Sequence, residues 1–202
     1  MKLTFTSPAR LRVYRGNLRH WYRSATPDQR ARGAAWYDEA RITSEFIAQF
    51  TGLPQVQVAG VISALSPNNR WERNRIDALN VCNAVAHDLS EDSVKVCTYN
   101  ANKAKAFAIA RGDRAILKSS PKTYAFALNV GACDPNHATI DKWHLRACQT
   151  RSSSPIEVRT SITPAQYRVL ESECVRLAQA ARVPAYVFQA TVWVAIRDRW
   201  TL

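Results

Sequence analysis

At 202 residues and 22.7 kDa, the chain is long enough to bury a full hydrophobic core as a single globular unit. Hydrophobic residues make up 47% of it and charged residues 22%, proportions that exclude a disordered tail. The net charge is +12, from 28 basic and 16 acidic side chains, and arginine outnumbers lysine 21 to 7. A guanidinium grips phosphate oxygens with a planar two-pronged fork, so this bias predicts a polyanionic partner such as DNA. A merely arginine-rich composition is the plain alternative.

No stretch approaches the roughly 20 apolar residues needed to span a bilayer, and no secretory apolar segment opens the chain. No membrane is expected, and the expected location is cytoplasmic, with the nucleoid or a phage-infected host as settings. The cysteines (Cys82, Cys97, Cys133, Cys148, Cys174) are scattered and form no C-x-x-C pair. The four histidines show no i, i+4 ligand spacing. The expectation is free thiols, no metal cluster, no cofactor and a monomer.

In chain order the pattern is helical. A basic segment, Pro8 to Tyr22, carries Arg10, Arg12, Arg15 and Arg19. Residues 27–50 read as two helical patterns, with Trp36, Tyr37, Ile42, Phe46 and Ile47 as core. Val56 to Leu65 is apolar on nearly every side, as in a helix buried within a bundle. It stops at Ser66-Pro67-Asn68-Asn69. Trp71 to His87 follows, with Ile76, Leu79, Val81 and Val85 facing inward. Asn102 to Ala110 is a short helix, residues 117–121 a turn, and Lys122 to Val130 an apolar helix. A loop over 131–136 leads to Asp141, a good N-cap for a helix through Cys148.

A polar linker, 152–161, precedes Thr163-Pro164-Ala165-Gln166, a capping box with proline at the first helical position. Its helix runs to Ala181, and Val183-Pro184 begins the last one, to about Trp200. On that helix Gln189, Trp193 and Arg197 share a face; core packing accounts for Trp193. The chain is therefore read as all-α, with nine or ten helices.

Three segments together resemble the helix-hairpin-helix DNA glycosylase superfamily. Leu65-Ser66-Pro67-Asn68-Asn69 is similar to that family's Leu-Ser-x-Gln/Asn loop, which fills the gap left by an extruded base. Lys122-Thr123-Tyr124-Ala125 and Ile140-Asp141-Lys142-Trp143-His144-Leu145-Arg146 follow the family's catalytic Lys-Thr-Ala and Val-Asp-Thr-His-x-x-Arg. The likeness covers about residues 55–150, with residues 1–54 and 162–202 completing a shared helical lobe. It implies a two-lobed helical bundle with a degenerate hairpin, because Leu117-Lys118-Ser119-Ser120-Pro121 replaces Leu-x-Gly-x-Gly.

The resemblance implies that Asp141 and Lys122 are catalytic, the first facing the deoxyribose C1′ and the second able to attack it as an amine. Asn68, Asn69, Arg70, Arg73, Lys118, Ser119, Ser120 and Arg146 would contact DNA, and Trp71, Trp143, His144 and His137 would stack on or line the base pocket. Three activities follow as expectations. One is a glycosylase acting on a damaged or modified base. Another is a phage-type enzyme joining an amine to the 5-methylene of thymine in DNA on the same scaffold. The last is a non-catalytic DNA-binding module in which Asp141 is only an N-cap.

Overall fold

The structure, a computed structural model, describes residues 5–113 and 115–201 and all their side chains but that of Ser119. The described residues are helical and contain no strand: α1 (Pro8–Ser24), α2 (Pro27–Thr51), α3 (Gln55–Leu65), α4 (Trp71–Ala86), α5 (Asn100–Ala110), α6 (Pro121–Ala132), α7 (Lys142–Gln149), α8 (Pro164–Ala181) and α9 (Ala185–Thr201). Short 3-10 turns cover Glu91–Ser93 and Ala115–Ser119. No helix is long and apolar enough to cross a membrane. The chain divides into two compact units, Met1–Tyr37 with Asp134–Leu202, and Asp38–Cys133.

The second of these, here the inner unit, is built around α3. Every residue from Val58 to Leu65 is buried, and α4, α5 and α6 pack against this helix. Gly60 makes the α5 contact possible, since a Cβ there would stand 2.7 Å from Ile109 Cγ2. Each aliphatic side chain taken from water this way contributes about 1.5–3 kcal/mol. Polar stitches fix the packing: Ser63 Oγ donates to the Thr123 carbonyl (2.6 Å) and Asn74 Nδ2 to the Ile62 carbonyl (3.0 Å).

The outer unit joins the two ends of the chain. Tyr14, Leu18 and Trp21 line the buried face of α1, which packs against α7, α8 and α9. The last carbonyls of a helix have no partner within it. Here Asn17 Nδ2 donates to the Cys148 carbonyl and Trp21 Nε1 to the Thr150 carbonyl, both at 2.8 Å. The capping box predicted at Thr163 is present, with both reciprocal hydrogen bonds to Gln166.

Two expectations are corrected. Residues 27–51 form one helix rather than two patterns, since no proline or cap interrupts them. Gly33, the one weak point, is a packing glycine whose Cβ would meet the Thr191 backbone at 2.6 Å. Of the expected core, Ile42, Phe46 and Ile76 are exposed, while Tyr37 and Ile47 are buried. Phe46 instead stacks on its neighbour one turn along, Phe50.

Candidate functional site

Asp141 belongs to the outer unit, and the segment ahead of it is clamped from three helices. From α8, Glu171 Oε1 accepts from the Ala138 amide (3.3 Å) and lies 3.0 Å from His137 Nδ1. Tyr167 of the same helix accepts from the Ile140 amide (3.2 Å) and donates to the Ala138 carbonyl (3.0 Å). From α2, Tyr37 Oη bonds Thr139 Oγ1 (2.9 Å) and donates to Gln189 Oε1 of α9 (3.0 Å). Ala138, Thr139 and Ile140 are all buried. Burial holds the Tyr167 phenol well above its ordinary range, so it stays a neutral donor.

The Asp141 side chain is then fixed at both oxygens. Oδ1 caps α7 by accepting from the His144 amide (2.8 Å), and Oδ2 accepts from Trp193 Nε1 (3.1 Å). Trp193 is held in turn by the Arg197 guanidinium, 4.6 Å from its ring centre. Trp36 lies beside it with ring centres 6.1 Å apart. The carboxylate is half-buried, held by one backbone and one indole N–H, and aromatic on one side. Such hydrogen bonds fix the direction of the carboxylate.

The other expected site residues of this unit are placed differently. His144 is fully buried, with neither ring nitrogen hydrogen-bonded, and burial pushes it down to about 4. It is a neutral core side chain and does not face a base, which corrects its assignment to the pocket. The reason is register: His144, Leu145 and Cys148 form one inward stripe on α7. The ring of His137 meets Glu171. Arg146 lies over Trp143, 4.4 Å from the ring centre, and Trp143 meets Trp200 edge-on. One face of Trp143 is thus covered by a guanidinium.

The remaining candidates belong to the inner unit. Asn69 turns inward, donating to the Leu65 carbonyl (3.4 Å) and to Asp77 Oδ2 (3.0 Å). Asp77 is wholly buried and also accepts from the Cys97 amide (2.8 Å) and Arg73 Nε (2.9 Å). Asn69 and Arg73 are therefore both tied to a structural carboxylate, Asn69 turning inward while Arg73 stays exposed. Asn68, with φ 57° in the left-handed region, stays at the surface, where it donates to Tyr99 Oη (2.8 Å).

Ser120 is the N-cap of α6 and accepts from the Thr123 amide and hydroxyl, a local role rather than a phosphate contact. Arg70 and Lys118 are exposed, and Trp71 and Lys122 half-buried. The Ser119 side chain lies outside the described residues. No group of three or more His, Cys, Asp or Glu among the described residues is placed to hold a metal ion.

Residues 1–200 match the model of a family described as "Family of unknown function (DUF7178)". The chain belongs to that family. No curated protein and no solved structure matches it. For this member of DUF7178, sequence reading passed over Trp193 as a contact of Asp141. The signal available was its shared face with Gln189 and Arg197.

Proposed function

We propose that this protein binds DNA and acts, in the manner of a DNA glycosylase, at the N-glycosidic bond of a base turned out of the duplex. The observation that carries this reading is the double anchoring of Asp141 by His144 N–H and Trp193 Nε1–H. As the base leaves with the bonding electrons, positive charge grows on the deoxyribose C1′ and ring oxygen. A carboxylate already oriented by the protein stabilises that charge without reorganising, and water supplies the hydroxyl that replaces the base. Trp36 and Trp193 offer apolar ring surface beside the carboxylate, suited to a flipped base or sugar.

Charge supports the same reading. The outer unit carries 17 basic and 7 acidic residues, a net of +10, against 11 and 9 in the inner unit, a net of +2. Polyanion affinity is dominated by such charge. Lys122 enters only through the family resemblance. It stands half-buried in the first turn of α6. As a lyase nucleophile it would form a Schiff base with the abasic sugar.

The test uses duplexes carrying a panel of damaged and modified bases, with free base read by mass spectrometry. Borohydride reduction should trap a covalent complex that Lys122→Ala abolishes. Base release without trapping leaves Asp141 in place and removes Lys122. A non-catalytic reading draws on the same anchoring, because both Asp141 oxygens already have structural work as cap and indole acceptor. It predicts tight binding with no product from any duplex.

A further inference from the structure

A second feature of the outer unit stands apart from Asp141. One face of α1 presents Gly16, Arg19, His20, Arg23 and Ser24 to a groove of about 500 Å³, which Arg151 also lines. Three guanidiniums therefore line one open groove. Among the described residues no carboxylate lies within ion-pair distance of any of the three. Four of the unit's seven acids are paired elsewhere: Glu173 with Arg15 and Arg176, Asp198 and Asp28 with Arg32, Glu171 with His137.

The cluster is held in place rather than scattered. Arg151 Nε donates to Asn17 Oδ1 (2.8 Å), and Asn17, itself buried, donates onward to the Cys148 carbonyl. The Arg151 bond uses Nε alone, and Arg151 itself is exposed. Arg19 and Arg23 are one helical turn apart and exposed, so both can meet a ligand lying along α1. Gly16 lets the Arg151 guanidinium lie close against α1, since a Cβ there would come within 2.9 Å of Arg151 Nη2. The field is felt locally: burial first, then Arg151 and Arg199, push the His20 imidazole below its ordinary value.

Like charges brought together without counter-ions repel, and an anion relieves that repulsion with charge-assisted hydrogen bonds. We propose that the Arg19–Arg23–Arg151 groove is a phosphate-binding site, occupied by the backbone of a nucleic acid. Two phosphodiesters in succession along α1 would meet Arg19 and Arg23, with Arg151 beside them in the same groove. The nature of the phosphate source rests on the DNA reading above; the site itself does not, because free phosphate compounds share the same chemistry.

The test measures the full chain against a fluorescein-labelled, undamaged 20-base-pair duplex from 50 to 200 mM salt, with inorganic phosphate and pyrophosphate in parallel titration calorimetry. Arg19→Ala/Arg23→Ala changes only exposed side chains that make no ion pair among the described residues, so its fold is expected to be intact. Arg151→Lys keeps the charge and removes the fork. The double variant should weaken duplex binding at least tenfold and lower the salt slope by about two. Arg151→Lys should weaken binding without that change of slope.

Arg168→Ala, on exposed α8 surface away from the groove, should weaken binding less than twofold. If only phosphate or pyrophosphate binding depends on the three arginines, the site stands and its source is a small phosphate compound. If the double variant and Arg168→Ala match in affinity and slope, and phosphate binding is unchanged, the proposal is overturned. Asp141→Asn should bind the duplex like the parent, so failure of this site and failure of the base-release reading are separable.

Discussion

The two units solve different problems with different residues. The inner unit is nearly neutral and spends its sequence on packing: α3 is buried through eight consecutive residues, and the wholly buried Asp77 ties down the 66–69 loop. The outer unit carries almost all the net charge, 15 of the 21 arginines and three of the four histidines. Its polar side chains converge on the segment ahead of Asp141 and on the groove beside α1. Charge that looks like a property of the whole chain thus belongs to one part of it. Most DNA contacts expected from family resemblance lie in the other part, where Asn69, Arg73 and Ser120 are engaged in holding the fold.

The largest stability effect should come from the inner core. Leu65→Ala should cost about 2–5 kcal/mol, read by urea unfolding, because the neighbours of α3 cannot collapse fully into the vacated space. Hydrogen exchange would sharpen the comparison if amides of α3, α5 and α6 lose protection before those of α1 and α9.

Next in size is a pH effect confined to the outer unit. His144 is neutral in the fold, with burial pushing it down to about 4, whereas the unfolded chain protonates near the ordinary histidine value of about 6.5. Its contribution is therefore complete above pH 6.5. It is lost as pH falls from 6.5 towards 4, and nothing further is lost below. The total is about 3 kcal/mol. His144→Leu should remove that dependence in a comparison of the two unfolding curves across this window. An unchanged pH profile would mean that His144 is solvated.

A smaller effect is expected at the clamp. Tyr167→Phe removes a donor to the Ala138 carbonyl and an acceptor for the Ile140 amide, and should cost about 1–3 kcal/mol. It should also slow any Asp141-dependent reaction more than it weakens DNA binding, because the lead-in to the carboxylate loosens. Equal losses in binding and rate would make the clamp a general structural support.

Much of the fold was legible because it is local chemistry. The Thr163–Gln166 capping box, the Asp141 cap and the apolar α3 are each written within a few residues, and each is present. The misplaced parts depend on distant partners. Ile42 and Phe46 have helical core spacing, yet nothing near them in sequence says that their face of α2 is exposed. Asn69 looks like a surface loop residue until Asp77, a helix away, takes its amide. The Asp141–Trp193 bond spans 52 residues, and only the polar-aromatic face of α9 hinted at it. For His144 the stripe with Leu145 and Cys148 was readable as an inward face, and the family pattern drew attention to its chemistry instead.

The most direct test of the central claim compares the parent protein with Asp141→Asn on the same base-modified duplex, measuring binding and single-turnover base release together. Asparagine can still cap α7 through its amide oxygen, but it turns an NH2 group towards Trp193 Nε1, so that bond is lost together with the negative charge. The account predicts unchanged duplex affinity and base release slowed at least about a hundredfold, in line with loss of one preorganised charge-stabilising group. Base release by Asp141→Asn at the parent rate, or none by the parent from any duplex it binds, would contradict it.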